Sequence, residues 1–177
     1  MSVTSSAPLI RPLADADLAR VLVINEANVP EVGSVDADRL ASIVAESPIA
    51  LVVEVDGDVV GFCLVLGSTS SYDSVNYRWY TERYTDFMYL DRVAFDAASQ
   101  GKGYGTALYR EVFESMAVLD GGRELALEIN LDPPNEPSLA FHARLGFIEV
   151  GQQDTPYGIR VSMQMRPVPS TTPSSHA

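Results

Sequence analysis

Apolar and polar positions divide this chain into short, readable stretches. Leu9 to Pro12 is a brief apolar run that predicts a first strand. From Asp15 to Val29, Leu18 and Leu22, with Ala19 and Val23, recur at helical spacing and predict one buried face. Pro30 and Gly33 break that helix. Asp36 is placed to cap a second helix, which runs through Val44 and ends before Pro48, because the residue before a proline is biased away from helix. Ala50 to Val55 and Val59 to Leu66 are β-branched apolar runs joined by Asp56-Gly57-Asp58, and Asp-Gly between such runs predicts an antiparallel hairpin.

The pattern then changes. Ser68 to Asp86 is polar yet aromatic, holding Tyr72, Tyr77, Tyr80, Tyr84 and the only tryptophan, Trp79, and its polarity predicts that it stays out of the core. Phe87 to Phe95 returns to strand character, followed by glycines at 101, 103 and 105 and by a helix with Leu108, Val112, Met116 and Leu119 on one face. Asp120-Gly121-Gly122 closes that helix. Glu124 to Leu131 alternates as a strand, Pro137 to Leu145 is a short helix stopped by Gly146, and Phe147 to Val150 and Ile159 to Met165 are two closing strands. The order predicts a mixed α/β fold with hairpins at both ends and one strand-helix-strand crossover between them. No internal repeat or long linker divides residues 9–166, which read as one domain, whereas residues 1–8 and the Pro-, Ser- and Thr-rich residues 167–177 read as flexible tails.

Composition narrows the chemistry. The chain has 177 residues, a net charge of −12 and 46% hydrophobic residues, enough apolar material for a core. One cysteine and two histidines supply neither a four-ligand zinc site nor a disulfide framework, so no metal is expected. The acidic balance disfavours nucleic acid, whose binding rests on lysine and arginine at phosphates. No apolar run reaches the ~18 residues of a membrane span, and the start lacks a basic segment followed by an apolar one, so no membrane partner and a cytoplasmic location are expected.

The candidate chemistry begins at Gln100-Gly101-Lys102-Gly103-Tyr104-Gly105-Thr106. A strand running into this turn and then a helix sets several backbone N–H groups, unobstructed by bulky side chains, at the positive end of a helix dipole. Such a cradle holds phosphate through amides, so distant carboxylates, screened beyond ~8 Å at physiological salt, do not forbid it. Lys102 falls between two glycines, which fails the P-loop pattern, and GxGxG past mid-chain fails the dinucleotide fingerprint. A glycine turn without ligand is the remaining alternative.

These residues resemble the GNAT superfamily of acetyl-coenzyme A-dependent N-acetyltransferases. Gln100, Gly103 and Gly105 match the family's Q/R-x-x-G-x-G/A motif, preceded by Val93 and Phe95 at the expected offset. Asn135 to Phe147 (NEPSLAFHARLGF) approaches its second motif, and IRPLADADLARV its first strand and helix, so the likeness covers nearly all of residues 9–166. The resemblance implies a mixed, mostly antiparallel sheet splayed open after Phe95, with the pantetheine of acetyl-CoA in the gap. It places Val93, Ala94 and Phe95 along the cofactor, its diphosphate on amides from Gln100 to Thr106, and Asn135 and Ser138 against its arm. The Phe95 N–H would point at the thioester oxygen, where charge develops as an amine attacks. Lys102, Arg110 and Arg144 are candidates for the coenzyme's 3′-phosphate, Lys102 first among them.

Where many relatives carry a proton-donating tyrosine, this chain has His142, and an imidazolium near its reference pKa of about 6.5 can protonate a thiolate of about 8.5; the alternative is a helix-surface or packing residue. An amine of pKa about 10.4 is only ~0.04% neutral at pH 7, so a base is useful. Glu128 and Asn130 share one face of their strand, which makes Glu128 the base candidate and Asn130 a substrate-side neighbour, with Glu26 and Glu82 as runners-up. Tyr77, Trp79 and Tyr80, with Asp73, Glu82 and Asp86, could cage a cationic amine, or else form a packed loop or a homodimer contact. Cys63 reads as a buried inert thiol, His176 lies in the tail, and no GxSxG elbow suggests a hydrolase. The expected activity is acetyl transfer to a small-molecule or peptide amine in a ternary complex; the alternative is a catalytically silent acyl-CoA-binding sensor or assembly module.

Overall fold

The computed structural model describes residues 7–120 and 123–169. Most of the predicted tail residues, 1–6 and 170–177, and Gly121 and Gly122 of the predicted helix stop lie outside the described residues. In chain order the elements are β1 (Leu9–Pro12), α1 (Leu18–Ala27), α2 (Ala37–Glu46), β2 (Ile49–Val55), β3 (Asp58–Gly67), α3 (Val75–Thr81), β4 (Phe87–Phe95), α4 (Tyr104–Asp120), β5 (Glu124–Asp132), α5 (Glu136–Arg144), β6 (Ile148–Asp154) and β7 (Arg160–Pro167). The fold is mixed α/β, with a seven-stranded, mostly antiparallel sheet ordered β1-β2-β3-β4-β5-β7-β6. The one parallel pair among the recorded registers is β4 with β5, over Phe87–Tyr89 opposite Glu124–Ala126, as the α4 crossover requires. The residues gather into two compact units, Met1–Val65 with Arg92–Ser115, and Leu66–Asp91 with Met116–Ala177.

In the first unit β2 and β3 form the expected hairpin. Asp56 and Gly57 both adopt positive φ, 54° and 88°, the pairing that a tight two-residue turn between twisted strands needs. Asp36 caps α2 by accepting from the Arg39 N–H at 2.8 Å. The stripe predicted for α1 is displaced: Val21, Ile24 and Asn25 are buried, while Val23 is 58% exposed. The reason is Asn25, whose polarity hides it from a search for apolar periodicity. Its amide is satisfied indoors, accepting from Arg92 Nη1 (2.8 Å) and donating to the Gly33 carbonyl (3.1 Å).

In the second unit β5, β7 and β6 run antiparallel, with Glu128 opposite Met163. The aromatic stretch is not the surface loop its polarity predicted. Its centre forms α3, whose N-cap Ser74 accepts from the Asn76 and Tyr77 amides, and Asn76, Tyr77 and Tyr80 are all buried. The phenols are satisfied by backbone: Tyr77 Oη donates to the Gly67 carbonyl (2.7 Å), and Tyr80 Oη lies 2.6 Å from the Leu127 carbonyl and 3.0 Å from that of Gln164. The C-terminal boundary also shifts. Pro167, predicted to begin a loose tail, belongs to β7, and Val168 is buried and donates its N–H to the Arg123 carbonyl at 3.0 Å.

Candidate active site

The first unit carries the end of β4 and the glycine turn. Ala94 is buried and Val93 and Phe95 are half-buried. The Phe95 ring lies so close to Gly61 that a Cβ there would sit 2.2 Å from its Cδ1, so β3 must carry glycine at that point. Asn28 Nδ2 donates to the carbonyls of Phe95 (3.0 Å) and Ile24 (2.8 Å), tying the end of α1 to the end of β4. Asp96 follows, its N–H on the Val60 carbonyl (2.9 Å) and its carboxylate paired with Arg20.

The turn has the features of an anion cradle. Gly101 and Gly103 have φ of 74° and 81°, a conformation costly for residues with a Cβ, yet a Cβ at either would meet nothing within 4 Å. Conformation, not crowding, therefore requires glycine, and the space beside the backbone is open. The first helical bond of α4 runs from the Ala107 N–H to the Gly103 carbonyl (3.2 Å), so the amides of Tyr104, Gly105 and Thr106 have no carbonyl four residues back within the helix. Gln100, Lys102 and Thr106 are exposed and Tyr104 is buried. No carboxylate lies among residues 100–106. The residues present fit a diphosphate.

The second unit carries a carboxylate poised near neutrality. Glu128 is part-buried on β5, where Tyr89 Oη of β4 donates to its Oε2 at 2.7 Å. Burial raises its pKa to about 7, the Tyr89 hydroxyl and the Asn76 amide hold it down, and the nearby Asp91 carboxylate pushes it up. Tyr89 and Asp91 stand two apart on one strand, a spacing that could have flagged them, but their relation to Glu128 is not written in the sequence. Asn76 gave no signal at all.

The other expected residues take quieter places. His142 is buried, 5% exposed, with Nδ1 2.8 Å from the Ser138 carbonyl, and its ring meets Phe141 and Phe147 edge-on. A carbonyl only accepts, so Nδ1 carries a proton, and burial lowers the pKa of the ring, which disfavours the imidazolium. This argues against the imidazolium donor expected from sequence. Asn135 caps α5 by accepting from the Ser138 N–H (3.2 Å), and Ser138 Oγ lies 3.2 Å from His142 Nδ1. Asn130 is half-buried on β5, and its carbonyl accepts from the Asn135 N–H (3.0 Å).

The aromatic cage does not form as expected. Tyr77 and Tyr80 point into the core, and Arg83 already lies over the Trp79 ring, 4.2 Å from its centroid. Trp79 and the exposed Glu82 instead line a shallow cavity of 260 Å³ with Arg78, Gln153 and Asp154. Glu26 is bound up locally: it accepts from Ser34 Oγ (2.7 Å) and the Val35 N–H (2.9 Å), bonds that lower its pKa and make it a poor base. Cys63 is buried and its thiol is pushed up to about 12, as expected of an inert side chain.

A strand, a glycine turn and a helix cross over to a parallel strand within a mixed seven-stranded sheet. The model of the acetyltransferase (GNAT) family matches residues 22–147, and the chain belongs to that family. Three solved structures show the same fold. The ribosomal-protein-S18-alanine N-acetyltransferase of Escherichia coli is 17% identical, with a TM-score of 0.72 over 97% of this chain and 100% of that one. Ard1 of Thermoplasma volcanium is 19% identical, with a TM-score of 0.75 over 92% and 99%. The yncA protein of Salmonella typhimurium, solved with its cofactor acetyl-CoA, is 24% identical, with a TM-score of 0.68 over 97% and 100%. No curated protein sequence matches the chain. Among the described residues, no helix is long and apolar enough to cross a membrane.

Proposed function

We propose that this chain is an N-acetyltransferase that moves acetyl from acetyl-CoA to a primary amine by direct attack, with Glu128 as general base. Bound acetyl-CoA supplies an activated acetyl thioester. Backbone amides from Gln100 to Thr106 hold its diphosphate, helped by the exposed Lys102, while Val93 and Ala94 lie along its arm and Asn135 and Ser138 border it. The Phe95 N–H donates to the thioester oxygen as charge develops there, and Asn28 steadies that stretch through the Phe95 carbonyl. Glu128 takes a proton from the acceptor's ammonium, and the neutral amine that results attacks the thioester carbonyl, with coenzyme A thiolate leaving. Its pKa of about 7 suits the task, since a base works best when its pKa lies near the working pH. Asn130, on the same strand face, is its substrate-side neighbour. A thiol of reference pKa about 8.5 regains a proton from water at neutral pH, so His142 need not supply one.

The observation that carries this reading is the near-neutral carboxyl of Glu128, held by Tyr89 and Asn76 in a chain of the acetyltransferase family. The net charge of −12 favours a cationic acceptor, a small amine or a peptide N-terminus. Dependence on a coenzyme A thioester supports a cytoplasmic location. The test is release of free thiol from acetyl-CoA across a panel of primary amines, beside thermal shift with coenzyme A. Amine-dependent release is expected; saturable coenzyme binding without release on any amine would make the chain a binding module instead.

A further inference from the structure

The carboxylate nearest in sequence to the glycine turn is already claimed by a cation. From Arg92 to Arg110, the stretch that carries the end of β4, the turn and the start of α4, Asp96 is the one acidic residue. Asp96 stands at the N-cap of the short 3₁₀ turn Ala97–Ser99, where an aspartate ordinarily accepts from the amides ahead of it, yet its side chain accepts from none of them. The carboxylate pairs instead with Arg20 of α1. Arg20 is itself anchored, since its Nε donates to the Val59 carbonyl of β3 at 3.0 Å, and the neighbouring Val60 carbonyl accepts the Asp96 N–H at 2.9 Å. Backbone and side chain of Asp96 are thus both fixed to α1 and β3.

We propose that Arg20 is a positioning residue for coenzyme binding: it holds and neutralises the Asp96 carboxylate, so that the amides of the glycine turn meet an incoming diphosphate with no free negative charge beside them. The inference rests on the reading of residues 100–106 as the cradle. The chain from Asp96 to Gln100 spans at most ~14 Å, and the bond from the Ser99 N–H to the Asp96 carbonyl (2.9 Å) folds that stretch back on itself. Over such a distance an unpaired carboxylate repels a diphosphate, and salt controls by how much, because the screening length is ~30 Å at 0.01 M ionic strength and ~3 Å at 1 M. Backbone donors carry only partial charge, so a cradle built from them has little of its own to set against that field. The pair is 40% and 27% exposed at its two side chains, so it adds little to stability, and its charge balance is the property that matters at the turn.

The experiment is calorimetric binding of coenzyme A to the full chain and its variants at ionic strengths of about 0.01 M and 1 M, with thermal unfolding as a check that each variant is folded. The pair is neutral in the native chain, negative in Arg20→Met, positive in Asp96→Asn and neutral again in the double variant, and affinity should follow that order. At low salt Arg20→Met should bind about three- to tenfold more weakly than the native chain, Asp96→Asn about two- to threefold more tightly, and the double variant within about twofold of native. At high salt all should agree with one another within about twofold, even as all weaken. Loss of a merely structural contact would weaken binding equally at both salts and would not be relieved by Asp96→Asn. Native affinity in Arg20→Met at low salt, or a double variant no better than Arg20→Met, would overturn the proposal and leave the cradle standing. If Arg20→Met does not fold, Asp96→Asn decides, and binding no tighter than native at low salt would overturn the proposal. No saturable binding by the native chain would overturn the cradle itself, and this inference with it.

Discussion

The glycine turn of the first unit and the Glu128 network of the second are built in opposite ways. In the turn the groups proposed to bind are backbone amides, and the side chains matter by being absent: Gly101 and Gly103 sit at φ of 74° and 81° with open space beside them. At Glu128 everything rests on side chains, one carboxylate with a phenol 2.7 Å away, a buried amide, and a second carboxylate opposing ionisation. A backbone site resists ordinary mutation of its donors but fails when the chain conformation is disturbed. A side-chain site fails one group at a time, and each failure has its own pH signature.

Substitutions should separate the two accordingly. The largest effect is expected from Glu128→Gln, which removes the proposed base and should lower kcat/KM by about 10²- to 10³-fold in the thiol-release assay, with coenzyme A affinity unchanged. Gly103→Val comes next. Forcing a β-branched residue to positive φ costs about 1–2 kcal/mol, so coenzyme A binding by calorimetry should weaken by roughly tenfold, with the Glu128 titration unmoved. Tyr89→Phe removes a hydrogen bond to the ionised carboxylate, so Glu128 should protonate more readily. The acidic limb of the rate profile should rise from about pH 7 by roughly one unit, with activity lost at neutrality and recovered in alkali.

Stability gives the same comparison from another side. Glu128 titrates near 7 in the folded chain against an ordinary value of 4.5, so between those values the folded state binds more protons and stability falls as pH rises. Glu128→Gln should therefore be more stable than the parent at pH 8, by on the order of 2 kcal/mol after allowing for partial exposure, as read by thermal unfolding. At pH 4 the difference should vanish. The smallest catalytic effect is expected at His142. Since burial disfavours its imidazolium and its Nδ1 proton is held by the Ser138 carbonyl, His142→Gln should change kcat by less than about threefold while lowering Tm through lost packing against Phe141 and Phe147.

The same contrast explains what could be read from the sequence. Phe87 to Phe95, the Asp36 cap, the Asp56-Gly57 hairpin and the turn before α4 were legible because each rests on local rules: alternation, a capping oxygen, a residue able to take positive φ. The buried face of α1, the burial of α3 and the state of His142 were not. Asn25, Asn76, Tyr77 and Tyr80 are polar residues that pass for surface until their partners, mostly carbonyls and side chains distant in sequence, are in place. Glu128 could be nominated from strand alternation and family likeness. Its titration near neutrality could not, because burial, Tyr89, Asn76 and Asp91 fix it together. The burial of His142 was likewise hidden, since an imidazole at a motif position reads equally as chemistry or as packing until its neighbours are in place.

The most direct test of the account is the pH dependence of kcat/KM for amine-dependent thiol release by the native chain and by Glu128→Gln. The account predicts an acidic limb near pH 7 in the native chain, coinciding with the titration of Glu128, and its loss together with most of the rate in the variant. A variant that keeps the native rate and the same limb would contradict it.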